Sequence, residues 1–259
     1  MFDDDRGRPR RQPAVNIPGA VIGLVLAFVV VHLARLYLLS PQGDADVLLR
    51  YAFIPARYSV AIPGLGEWPG GFGAKLWTPL TYAFLHGGWT HLTVNGLWLV
   101  VFGTALGRRF GSARFLTFSA VCAIAGAGAH YLAHPTDAVP VVGASAAIAG
   151  QMAAAARFMF SRIAPIGPGG RLPGAYRQPA LSLLELLRTP RALAFLAIWF
   201  VLNFGAALGT PDALTGGNTV AWEAHIGGFL AGLLLFPLFD PVATGPRAHP
   251  PSGPLPPAA

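Results

Sequence analysis

Six apolar stretches divide this chain, and most of its charged residues lie in the connections between them. They run from about Val15 to Leu39, Leu76 to Leu106, Ala113 to Ala133, Ser145 to Phe160, Ala192 to Leu208 and Val220 to Phe239. A helix needs roughly 20 apolar residues to cross a hydrocarbon layer about 30 Å thick. Only 11% of the 259 residues are charged and 54% are hydrophobic, far from the roughly 25% charged expected of a soluble domain. The chain therefore reads as an all-α, multi-pass membrane protein. The fourth and fifth stretches are short for a span. For the fourth, the expectation is that irregular backbone from Val139 to Ala144 enters the bilayer and turns helical at Ser145, which is tolerated only where protein or a wet cavity surrounds it.

The formal net charge of +7 does not point to nucleic acid, because that partner needs basic residues gathered on one exposed face. Here they are distributed among connections. Arg6, Arg8, Arg10 and Arg11 precede the first stretch, and Arg108, Arg109 and Arg114 follow the second. Arg157, Arg162, Arg171, Arg177, Arg188 and Arg191 lie between the fourth and fifth. The connections after stretches three and five hold no Lys or Arg. The positive-inside rule then predicts cytoplasmic termini, with stretches two, four and six running from outside to inside. Residues 1–14 are expected to be a short cytoplasmic segment, 15–239 one membrane domain, and 240–259 a Pro-rich disordered cytoplasmic tail. The first stretch is too long for a signal-peptide core and is expected to be retained. The expected location is a bacterial plasma membrane. Ser40 to Lys75, with Tyr58 and Trp68, is expected to fold onto the outer interface, where aromatic residues favour the depth. Pro165 to Pro179 reads as a linker and Leu181 to Leu187 as a short interfacial helix. Cys122, the single cysteine, reads as a buried small hydrophobe.

Polar side chains inside such stretches are costly and mark functional candidates. Ser145 opens the fourth stretch and His225 stands in the sixth. His91 and Asn95, four apart on the second, share one helix face. At about 1.5 Å of rise per residue, Asn95 lies roughly 20 Å above Arg108, His225 about 22 Å above Asp240, and Ser145 about 18 to 25 Å above Arg157 and Arg162. All three fall about 10 Å beneath the outer surface of a 30 Å core. A hydroxyl, an imidazole and amide-type donors at one depth are what acyl transfer requires: nucleophile, base and oxyanion donors around one carbon. Ser145 on the first turn of its helix also lies beside unpaired backbone N–H groups at the positive end of the dipole.

At these residues the chain resembles the rhomboid family of intramembrane serine proteases. The resemblance rests on Gly143-Ala-Ser145-Ala146, on Ala224-His225 with Gly228 following, on His91-Leu-Thr-Val-Asn95, and on Leu85-His86-Gly-Gly-Trp89 upstream. It implies a six-helix bundle with a short central fourth helix, covering nearly everything from Val15 to Phe239. It implies Ser145 as nucleophile, His225 as general base, and His91, Asn95 and the Ser145 amide as oxyanion donors. His86, Gly143, Ala146 and Gly228 are implied supporting positions. Most active members carry Gly where this chain has Ala146, which adds a methyl near the oxyanion position, and the Trp-Arg pair common in the family's first outer loop is absent. The implied substrates are transmembrane proteins cut near the outer membrane face, with no cofactor and no metal. As a hypothesis, the loop Gly209 to Thr219, with Gly216-Gly217 as hinge, caps the cavity, and movement of the fifth helix admits substrate from the side.

Each polar residue also has a plainer reading. Gly143-Ala-Ser-Ala and the Gly228/Gly232 pair are both patterns of close helix packing, and an intramembrane His or Asn can simply bond a neighbouring helix. His130, His134 and Asp137 are assigned to the outer end of the third stretch without a metal, and no His-Glu-x-x-His occurs. Glu223, two positions before His225, is expected on a different face near the water boundary, and Asn203 is read as structural. Two other functions stay open: an inactive rhomboid-like factor that binds membrane clients, and a transporter lined by Ser145, His225 and Asn95. Against the transporter stand the lack of internal repeats and the apolar inner halves of helices two, four and six, apart from Gln151.

Overall fold

The computed structural model describes residues 17–59, 67–161, 175–209 and 221–242. The expected N-terminal segment, most of the Pro165 to Pro179 linker, the proposed capping loop after Gly209 and nearly all of the Pro-rich tail lie outside them. Among the described residues the fold is all-helical, apart from one isolated antiparallel bridge between Phe53 and Val141.

Helix α1 (Gly19–Tyr37) buries Val21, Phe28 and His32, a stripe at spacings of seven and four that faces the bundle. Ile22, Leu26 and Val30 on the other faces stay exposed, as suits a helix whose remaining surface meets lipid. A connection then folds as α2 (Pro41–Tyr51), α3 (Ala56–Ser59) and α4 (Gly71–Thr81). Ser40 caps α2 by accepting the Gly43 N–H at 3.2 Å, with Pro41 at the first helical position. The connection is tied together by side chains on backbone carbonyls. Arg57, buried, donates to Pro69 and Leu49. Burial pulls its guanidinium below the ordinary arginine value. Trp77 donates to Arg50 at 2.9 Å and Thr81 to Tyr51 at 2.7 Å, and the Tyr58 hydroxyl reaches the Lys75 carbonyl at 2.9 Å.

The expected single span from Leu76 to Leu106 is two elements. Helix α4 ends at Thr81, a 3-10 turn covers Tyr82–Phe84, and the spanning part starts again at Trp89. The reason lies in Leu85-His-Gly-Gly88: Leu85 takes extended backbone after the turn, as does Gly88 ahead of Trp89, and two successive glycines are poor helix formers. From Trp89 the chain continues as α5 (Trp89–Trp98), a π-turn (Leu99–Gly103) and α6 (Thr104–Phe110) without leaving helical backbone. Next come α7 (Ser112–Ala133), α8 (Ser145–Met159), α9 (Leu183–Leu187), α10 (Pro190–Gly209) and α11 (Trp222–Phe239). Three of these, α1, α7 and α11, are long and apolar enough by themselves to cross a membrane.

Helix α8 is the axis of the fold. Every residue from Ala146 to Phe158 is buried, and a run rich in Ala and Gly is what allows neighbours to close on all sides of it. Gly228 of α11 sits so near the Ala146 carbonyl that a Cβ there would overlap it, and Gly232 stands likewise against Gly150. On α7, a Cβ at Gly126 would lie 2.5 Å from that of Ala146. In hydrocarbon, packing of this kind substitutes for the hydrophobic drive that lipid cannot supply.

At the end remote from Ser145, Arg109 closes the bundle. Its guanidinium is fully buried and pairs with Asp240 through two bonds, 2.8 and 2.7 Å. It also donates to the Tyr176 and Gln178 carbonyls at 2.8 and 2.9 Å and lies over the Phe158 ring at 4.6 Å. Arg157 donates to the Leu181 carbonyl at 2.9 Å, which holds the chain entering α9, itself started by a Ser182/Glu185 capping box.

Three outcomes follow for purified protein in detergent. Gly228→Ala is expected to lower the thermal midpoint, because backbone rather than a flexible side chain must give way. Gly128→Ala, where nothing lies within 4 Å, is expected to leave the midpoint unchanged or raise it, by up to about 1 kcal/mol. Asp240→Asn strands a buried cation and is expected to cost about 3–5 kcal/mol, read by the same thermal measurement; an unchanged midpoint would remove Arg109 as the closing element.

Candidate active site

Where the chain re-enters the bundle before α8, its backbone is held by partners rather than by helix. Phe53 and Val141 exchange backbone bonds of 3.1 and 2.8 Å, and the Gly143 N–H donates to the Tyr82 carbonyl at 3.0 Å. Tyr82 is buried and its hydroxyl donates to Ala123 of α7 at 2.8 Å. Gly143 has φ +117°, a conformation that favours glycine. A Cβ there would lie 2.6 Å from His91 Nε2 and 3.7 Å from Asn95 Nδ2. One glycine thus supplies both the turn into α8 and the close approach to α5.

Ser145 is the first residue of α8, and its Oγ lies 2.6 Å from His225 Nε2 on the first full turn of α11. Gly228, one turn further along α11, is the residue that lets the helices come this near. His91 Nδ1 accepts the Gly87 N–H at 3.4 Å, which leaves the proton of a neutral ring on Nε2, the nitrogen that faces Gly143. Asn95, buried, donates one amide hydrogen to the His91 carbonyl at 3.1 Å and has a second to give. His86 is buried behind His91, with ring centroids 5.2 Å apart, and its carbonyl accepts Arg35 at 2.9 Å. The Ala146 methyl, expected near the oxyanion position, abuts Gly126 of α7 and is almost wholly buried.

Ser145, His225, His91 and Asn95 line one cavity of about 630 Å³. Its side wall is apolar and lies between α5 and α10, with Trp98, Phe102, Phe195 and Trp199 among its residues. Helix α10 meets the bundle there through ring contacts, Phe195 with Phe102 at 6.1 Å and Trp199 stacked on Phe229 at 5.1 Å.

Two features were not read from the sequence. Only its own hydroxyl sets Tyr82 apart in the sequence from the other aromatic residues of its apolar stretch. Glu223, expected near the water boundary, is partly buried and lines the cavity, with Oε1 2.7 Å from His134 Nε2 and Oε2 3.4 Å from His130 Nδ1. These three residues are the candidate metal-ligating group among the described residues. Asn203 lies in α10, with its side chain outside the described set.

Comparison with known proteins was made against this geometry. "Rhomboid protease GluP" of Bacillus subtilis (strain 168) is 29% identical over 206 residues, which is 79% of this chain and 32% of that protein. "Putative rhomboid protease YdcA" of the same organism is 41% identical over 85 residues, 33% of this chain and 38% of that protein. The chain therefore spans about a third of the length of these curated relatives. The rhomboid domain matches residues 73–240, more than half of the chain and every residue of the cavity named above, so this integral membrane protein belongs to the rhomboid family.

Proposed function

We propose that this chain is an intramembrane serine endopeptidase that cleaves transmembrane proteins through a Ser145/His225 dyad. The observation that carries this reading is the 2.6 Å contact between Ser145 Oγ and His225 Nε2, made between two helices at the floor of a cavity large enough for a segment of peptide. His225 takes the hydroxyl proton as Oγ attacks the peptide carbonyl, then returns it to the leaving amine, and water reverses the sequence on the acyl-enzyme. The developing oxyanion is met by His91 Nε2–H, the second Asn95 hydrogen and the Ser145 amide, each donor worth about 10² to 10³ in rate. The last lies at the N-terminus of α8, where backbone N–H groups are unpaired and the dipole favours negative charge.

Six spans with both termini cytoplasmic fit the placement of the arginines. Arg109 and Arg157 stand at the end remote from Ser145, so that end faces the cytoplasm and the cavity faces outward. The arginines at the Ser145 end are neutralised or consumed locally, Arg35 by Asp44 at 2.6 Å and Arg50 by Asp46 at 2.7 Å, with Arg57 on carbonyls. In this reading residues 15–239 form the membrane domain of a bacterial plasma-membrane protein. A transport path is disfavoured because Gln151, the polar residue of the inner half of α8, is buried and spends its amide on Ser119 at 2.9 Å. Substrate enters sideways between α5 and α10, where the described wall is apolar and the helices meet through ring contacts.

Labelling of the purified protein with a fluorophosphonate is expected to be abolished in Ser145→Ala and His225→Ala, and slowed about 10²-fold or more in Asn95→Ala. Labelling that persists in Ser145→Ala rejects the nucleophile. A bifunctional thiol crosslink between Phe102→Cys and Phe195→Cys, whose rings now meet at 6.1 Å, is expected to stop cleavage of a membrane-embedded substrate while fluorophosphonate still labels Ser145; undiminished turnover would remove the lateral route.

A further inference from the structure

We propose that His130, His134 and Glu223 form a binding site for a divalent transition-metal ion of the zinc class, which clamps the end of α7 to the start of α11 at the rim of the cavity. His130 is on the last turn of α7 and His134 is the residue that ends the helix, their ring centroids 5.1 Å apart. Glu223 comes from the first turn of α11. One donor atom from each residue lies within 4.8 Å of the other two. Around a tetrahedral ion with bonds of about 2.0–2.2 Å, donors stand about 3.4 Å apart, a separation small side-chain rotations supply here. Two imidazoles and one carboxylate suit zinc, cobalt or nickel, and do not suit calcium or magnesium, which take oxygen sets.

The present hydrogen bonds are of the kind a metal replaces. Glu223 bridges both imidazoles, so an ion inserted among the three takes the place of these two bonds, each neutral ring carrying its proton on the nitrogen that does not bind the ion. His130 Nδ1 meets Glu223 Oε2 only at 3.4 Å, longer than an ordinary hydrogen bond, so direct bonding leaves this nitrogen weakly satisfied. Access is open, since all three residues, together with Asp137, line the cavity that holds Ser145, and the fourth coordination position faces that cavity. Because Glu223 stands two residues before His225, an ion held there fixes the turn of α11 that carries the imidazole of the dyad.

The test uses tag-free full-length protein in detergent and does not depend on the protease reading, because it is run on both the unaltered chain and Ser145→Ala. Titration with Co²⁺ is expected to give the visible absorption of a tetrahedral site at one ion per chain, displaced by Zn²⁺, with a raised thermal midpoint. His134→Gln is the decisive variant, since His134 is half exposed and glutamine retains a hydrogen bond to Glu223. It is expected to fold with an unchanged midpoint in the absence of metal, and to bind Co²⁺ at least tenfold more weakly, as is Glu223→Gln. Absence of saturable Co²⁺ uptake, or equal uptake by His134→Gln, overturns the site and leaves a hydrogen-bonded clasp only.

Discussion

Helix α8 can lie at the centre of this bundle because alanine and glycine make up most of the surface it presents to α7 and α11. Lipid is as apolar as any leucine, so nothing expels a helix from it into protein except better packing and satisfied polar groups. Alanine and glycine from Ala146 to Ala156 allow α7 and α11 to approach until backbone meets backbone, at Gly126, Gly150, Gly228 and Gly232. The contact between Ser145 and His225 follows from that approach. With ordinary side chains between them, the two helix axes would stand at the 8–10 Å spacing of common helix pairs, and the hydroxyl and the imidazole would be drawn apart with them.

A second constraint comes from backbone that is not helical. Between Asp137 and Ser145 each polar group of the chain needs a partner inside the protein. Phe53, Tyr82 and the Asp137 side chain supply them, the last by accepting the Val139 N–H at 2.9 Å. The connection between α1 and α5 is therefore part of the site's support. It brings Phe53 to Val141 and aims Tyr82 at both Gly143 and α7.

Much of this was legible in the sequence because membrane helices follow simple rules of length, charge and depth. Ser145, His225, His91 and Asn95 stood out as polar residues at one level of apolar stretches, and the structure gathers them around one cavity. The Gly228/Gly232 spacing pointed to the helix contact that the structure contains. What escaped was whatever depends on tertiary partners. The stretch from Leu76 to Leu106 is apolar on average, and the break at Leu85 to Gly88 is marked only by His86 and two glycines, which hydropathy averaged over the length of a span conceals. Glu223 and His130 are nearly 100 residues apart in sequence, so their meeting is a consequence of how α7 and α11 cross. Tyr82 works through a hydroxyl and a carbonyl whose partners no periodicity announces.

The glycine contacts between α8 and α11 repeat every four residues, Gly228 on Ala146 and Gly232 on Gly150. Sliding α11 by one turn, about 5.4 Å, would set Gly228 on Gly150 but bring Ala224 onto Ala146, where its methyl would overlap the Ala146 carbonyl. The slip would also draw Asp240 away from Arg109, whose buried charge is met in one position. Steric fit beside the cavity and a salt bridge remote from it thus act as two keys for the same helix register, the one in which the alcohol and the imidazole face each other.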